Sequence, residues 1–214
     1  MELPPLPTLT NEQQEDRIAH HDIAQRLMSR ELGFETGQLF VGTRFGQPST
    51  LSKNRSKVSA KLNSSVAIAD HLRKRIMVLC AGVISEVHWF EKKLPGFEMQ
   101  EAHVTSIYTY GVNDGAGLTN QDKLKELLII LCGIEHEPSE NHQLLEDQMD
   151  VIFRGLYQKA VNIFNEFSEK LFILADLVIN ENWCNGRLIV CDERLVELEA
   201  EADALSSKNL TTRE

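Results

Sequence analysis

Between Val66 and Lys93 the chain carries one long, unbroken helical pattern. Ile68, Leu72, Ile76, Leu79, Val83 and Val87 recur at three- and four-residue spacing and form a single apolar stripe. The segment "CAGVISE", residues 80–86, lies inside that pattern and brings Ala81, Gly82 and Ser85 together. A glycine in a helix interior costs about 1 kcal/mol relative to alanine. Small residues at that cost indicate that a second helix packs closely against this face.

The remaining pattern is also mainly helical. Thr10 reads as an N-cap, and a helix follows from about Asn11 to Arg30, with Ile18, Ile23, Leu27 and Met28 at helical spacing and Gly33 as its stop. "FETGQLFVGTRFGQ" combines turn glycines with β-formers and predicts short strands or a hairpin. The polar, serine-rich stretch after it, with Lys53, Arg55, Lys57 and Lys61, reads as a surface loop. Residues 95–118 read as a connector ending in "GVNDGAGLTN". A further helix starts near Thr119 or Asn120. Pro138 and Ser139 open the next one, and residues from Glu140 to about Trp183 form one or two long amphipathic helices with Gly155 as a break. "WCNGRLIVCDERLVELEAEADAL" closes with a turn and a short helical tail. The expected fold class is mainly α (α+β), with a small β element after the first helix. The expected organisation is a flexible tail over 1–9, a single helical domain over 10–203 and a flexible tail over 204–214.

A chain of 214 residues with 42% hydrophobic content has enough apolar side chain for a real core. Its net charge of −10 argues against a general nucleic-acid partner, because phosphate backbones attract basic surfaces. "MELPPLPTLT" has neither a basic nor an apolar leader region, and no apolar run reaches the length of a membrane span. Cys80, Cys132, Cys184 and Cys191 form no C-x-x-C pair and read as reduced thiols; a Cys184–Cys191 bridge is the alternative. These features predict a cytoplasmic protein.

The chemistry concentrates in "AHHDIAQ", residues 19–25. His21 and Gln25 lie four apart and share a helix face, the spacing at which two ligands grip one metal. With histidine at both places and glutamate after the first, the pattern is a zinc site with its general base. Here Gln25 offers an amide and Asp22 is one methylene shorter than glutamate. His20 lies about 100° around the helix from His21. "HEPSENH" places His136 and His142 near acids and reads as a solvated helix-start loop.

The order of "AHHDIAQ", short strands, "AGVISE", a glycine-rich turn and Asp122 resembles the protease domain of FtsH-type ATP-dependent zinc metallopeptidases. It is closer still to their small stand-alone bacterial relatives, over residues ~12–195. That family carries H-E-A-G-H on its first helix, A-G-R-x-A-E on its second, and a ligand Asp after a turn rich in small residues. "FILADLVINENWCNGRLI" also has the flavour of the family's closing segment, with its Trp late. The resemblance implies His21 as first zinc ligand, Gln25 at the place of the second and Asp122 as the third. Asp22 stands at the place of the catalytic glutamate, and Glu86 matches the glutamate that supports a ligand histidine. No G-x-x-x-x-G-K-[ST] is present, so the chain has no ATP site of that kind. Two of the three signature positions on the first helix are changed. The resemblance therefore implies a catalytically degenerate metallopeptidase-fold protein that binds a protein or peptide partner. An active metal-dependent peptidase using His21, Gln25, Asp122 and Asp22, and an unrelated α-helical interaction module, are the alternatives.

Overall fold

The computed structural model describes residues 3–44, 47–50, 61–112, 119–137, 141–181 and 187–211. Its elements run α1 (Asn11–Glu31), β1 (Leu39–Arg44), β2 (Gln47–Thr50), α2 (Ser65–Lys93), α3 (Glu101–Tyr110), α4 (Asn120–Glu135), α5 (His142–Ile179), β3 (Arg187–Val190) and α6 (Asp192–Thr211). The fold is mainly helical, with a small antiparallel sheet after the first helix.

Four helices start at side chains that accept an otherwise orphaned backbone N–H. Thr10 accepts from Gln13, whose side chain accepts in turn from the Thr10 N–H, closing a capping box. Thr119 and Asp122 close the same kind of box on α4, while Ser64 accepts from the Ala67 N–H of α2 and Asn141 from the Gln143 and Leu144 N–H groups of α5. Gly33 ends the first helical region with φ of 79°, a conformation that glycine adopts without the Cβ penalty.

α1 and α2 pack antiparallel: Asp16 meets Trp89, His20 meets Ser85, and His21 and Gln25 meet Gly82. α5 lies against both, and α4 packs on α2 and α5. The main core joins Ile18, Ile23 and Met28 of α1, Ile76 of α2, and Phe164, Leu171 and Leu174 of α5. The sheet has the order β2-β1-β3. Leu39 pairs with Val190 and Val41 with Leu188, all four buried, while Ile189 points to solvent. This inward–outward alternation seals one side of the helical core.

Arg26 ties α1 to α6. This buried guanidinium donates to Glu199 Oε1 at 2.9 Å, to Asp192 Oδ1 at 2.8 Å and to the Gly37 carbonyl at 2.6 Å. Arg30 pairs with the same Glu199.

Several expectations need correction. Residues 3–9 are packed, not a loose tail: Leu6 and Leu9 lie against a second cluster of Val83, Trp89, Phe90 and Ile107, and Ser106 donates to the Pro4 carbonyl. The 95–118 connector contains α3, whose buried Ile107 anchors that cluster. Gly155 does not break α5, because its position faces open space while Leu156 and Ala160 beside it are buried. β3 occupies the stretch read as a turn, and α6 continues to Thr211, beyond the expected end of the domain at residue 203. The basic positions Lys53, Arg55 and Lys57, the turn over 113–118, Pro138–Ser139 and Cys184 lie outside the described residues. Cys80 and Cys132 are buried free thiols, and Cys191 is exposed. No described helix is long and apolar enough to cross a membrane.

Phe164 joins α5 to α2, with its ring 5.2 Å from His88 and 5.3 Å from Phe167. Phe164→Ala is expected to cost about 3–5 kcal/mol of stability, read as a lowered urea midpoint. Burial also pushes the Cys80 thiol up to about 12, so it holds almost no thiolate at pH 8. A thiol reagent followed by peptide mapping is expected to label Cys191 in the native protein and Cys80 only after unfolding.

Candidate functional site

The seam between α1 and α2 gathers three of the five residues expected at a site. His21 Nδ1–H donates to Glu86 Oε1 at 2.8 Å, and the Gln25 amide donates to His21 Nε2 at 2.8 Å. One tautomer satisfies both bonds, with the proton on Nδ1 and the lone pair on Nε2. His21 and Glu86 are 2% and 0% exposed.

Glu86 is a buried carboxylate and requires compensation. Besides His21, the Val112 N–H donates to Oε1 at 3.3 Å, and the Arg17 guanidinium lies 3.5 Å from Oε2. Arg17 in turn sits over the Phe90 ring. Two glycines make room for this group. A Cβ on Gly111 would lie 2.3 Å from the Ile107 carbonyl and 3.0 Å from both Glu86 oxygens. A Cβ on Gly82 would lie 2.5 Å from His21 Cε1 and 2.8 Å from Gln25 Nε2. The small-residue face of "CAGVISE" is thus the place where α1 comes closest, and Ser85 adds a bond to the His20 carbonyl at 3.0 Å.

The other two expected residues have different surroundings. Asp22 is on α1 and fully buried. Asp122 is exposed at the start of α4, where its carboxylate accepts from the Thr119 hydroxyl at 2.7 Å and from the Thr119 N–H at 3.3 Å. Zinc does not fit the set His21, Gln25 and Asp122 in this arrangement. His21 Nε2 already accepts a hydrogen bond, Gln25 turns an N–H toward it instead of a lone pair, and the Asp122 carboxylate is closed on its own helix cap. A general base also needs hydrogen-bond reach to its substrate, and Asp22 is enclosed.

A different group of ligand-type side chains comes together one residue further back on α1. Asp16, His20 and Asp176 each offer one donor atom, and the three atoms lie within 4.8 Å of one another. Among the described residues this is the one such gathering of His, Cys, Asp and Glu. The Asp16–His20 half was readable as a four-residue helical spacing; Asp176 on α5 leaves no local signal. Burial raises the Asp16 carboxyl, but hydrogen bonds from His20 and Trp89 and the nearby charges of His20 and Lys93 outweigh it and hold Asp16 below its ordinary value of 3.8.

Away from both groups, α3, α4 and α5 enclose an open, mainly apolar cavity of about 600 Å³. Val104, Tyr108, Leu124, Leu128, Met149 and Phe153 line it, with Glu101, Thr105 and Lys125 among its polar residues.

No family model matches the sequence, and no curated protein matches it.

Gly82→Ala tests the seam directly. The added methyl must displace His21 or Gln25 and break buried hydrogen bonds, a loss of about 1–3 kcal/mol that exceeds the helix-propensity gain of about 1 kcal/mol. A lower urea midpoint is expected; an unchanged or higher one would show that the approach is looser than described.

Proposed function

We propose that this chain is a catalytically degenerate protein of the FtsH-type peptidase fold that acts by binding a protein or peptide segment. The observation that carries the reading is the Gln25 amide on His21 Nε2. In the zinc-peptidase arrangement that nitrogen would face the metal, while the other ring nitrogen would be held by a supporting carboxylate. Here Glu86 occupies the supporting position, and a neutral N–H donor stands where the metal would be. The histidine is satisfied by the protein alone, so the helix pair keeps its packing without an ion.

The binding half of the reading draws on the α3–α4–α5 cavity. An apolar lining with a few polar groups suits a peptide that inserts an apolar anchor side chain. Exposed Ile129, Ile130, Leu144 and Val151 on α4 and α5 supply further apolar surface on the two longer of these helices. The capping role of Asp122 favours a second reading, an α-helical interaction module unrelated to peptidases, which would use the same cavity.

Incubating the purified chain with an unstructured protein, with and without added zinc, is expected to yield no cleavage. Peptides selected on the chain from a random library are expected to lose at least tenfold in affinity to Thr105→Arg, an exposed position at the cavity. Cleavage blocked by a chelator and by Asp22→Ala would overturn the degenerate reading. Binding indifferent to Thr105→Arg would overturn the assignment of the cavity.

A further inference from the structure

We propose that the aromatic face shared by α2 and α3 is a recognition site for a proline-rich segment with leucines at three-residue spacing. Residues 3–9 occupy it in cis, as a strap that such a segment of a partner protein displaces.

The stretch "LPPLPTL", residues 3–9, carries Leu3, Leu6 and Leu9 three apart. Pro4, Pro5 and Pro7 fix φ at about −65° and disfavour the helical region for the residues before them. The conformation left is polyproline II, with three residues per turn, so the three leucines fall on one edge. Burial follows the same period: Leu3, Leu6 and Leu9 are partly buried, while Pro5 and Thr8 are exposed. Thr10 continues the extended backbone with φ of −67° and ψ of 166°. Leu6 and Leu9 pack against Val83, Trp89, Phe90 and Ile107, and Phe97 adds a ring 5.5 Å from Phe90. Aromatic-lined surfaces suit polyproline segments, which are already extended and lose little conformational entropy on binding.

The strap is built to leave without damage. The Ser106 hydroxyl donates to the Pro4 carbonyl at 2.7 Å, and the Ala102 carbonyl at 3.2 Å is its second acceptor, so departure orphans no donor. The three prolines have no N–H to satisfy. The capping box of Thr10 and Gln13 lies beyond the strap and keeps α1 closed at its start. Departure does expose apolar surface around Trp89 and Phe90, which water disfavours. A second segment with the same leucine spacing restores that burial and offers a carbonyl to Ser106. This face is separate from the α3–α4–α5 cavity: Thr105 lines the cavity, and Ser106, about 100° further around α3, faces the strap.

The test uses the full chain and a fluorescein-labelled peptide, ELPPLPTLT, read by fluorescence anisotropy. Leu6→Glu weakens the strap and leaves the aromatic face untouched, so it is expected to tighten peptide binding at least tenfold. Pro5→Gly, at an exposed position, frees the released strap and is expected to tighten binding about two- to fivefold. A peptide carrying Leu6→Ser and Leu9→Ser is expected to lose at least tenfold in affinity for the Leu6→Glu chain. Equal affinity of the wild-type, Leu6→Glu and Pro5→Gly chains would overturn the strap, and indifference to the peptide's leucines would overturn the site. Binding lost in Thr105→Arg would move the peptide to the cavity, overturning this site and leaving the cavity assignment standing. Wild-type dimers that Leu6→Glu dissolves would give the face to the segment of a second copy and overturn the separate partner.

Discussion

The close approach of α1 and α2 at Gly82 is the constraint from which the rest of the interior follows. Without a side chain at that point, α1 settles deep enough for His21 and Gln25 to lie over the α2 backbone. The same depth brings Ser85 to the His20 carbonyl and the Trp89 indole to Asp16. These contacts fix the helical rotation of α1, and that rotation turns Asp16 and His20 toward α5 and Arg26 toward α6. A larger residue at 82 would separate the helices and disturb every one of these polar contacts, because interiors are packed too densely to absorb a methyl group locally.

The interior of this helix pair is unusually polar for a region so enclosed. Arg17, His20, His21, Asp22, Arg26 and Ser29 are all buried on α1, with Ser85 and Glu86 on α2. Buried charge is tolerated where it is paired and hydrogen-bonded. Glu86 meets this condition through His21, Val112 and Arg17, and Arg26 through Glu199, Asp192 and the Gly37 carbonyl. Such groups contribute specificity of register more than net stability: a one-residue slip of α1 would leave several of them without partners.

The long helices were legible because their apolar periodicity and caps agree, and the small face of "CAGVISE" gave the tight packing. α3 was hidden because "EAHVTSIYTY" is short and rich in β-branched and aromatic residues, which carry weak helix propensity. Its stability comes from packing Ile107 into the Trp89 cluster, a tertiary effect. β3 is four residues long and acquires meaning only beside β1, which ends 143 residues before it. At the site, the contact of His21 with Gln25 was readable as a four-residue spacing, whereas the direction of the Gln25 amide was not. Asp122 shows how one residue supports two local readings: T-x-x-D is both a helix cap and, in the right context, the approach to a ligand. The bonds to Thr119 are those of the cap. Asp176 belongs to no motif, since its relation to His20 exists only in the folded chain.

The position of Arg26 has a consequence for how the protein is made. Its partners Asp192 and Glu199 are in α6, 166 and 173 residues further along the chain, so they are synthesised long after Arg26. Until α6 emerges, burial of this guanidinium would leave a charge without its counter-ions, an arrangement that folding avoids. The seam between α1 and the rest of the core therefore closes fully only once α6 is free to dock. A nascent chain stalled before residue 192 would keep α1 partly solvated, and the emergence of α6 becomes the event that locks the interior.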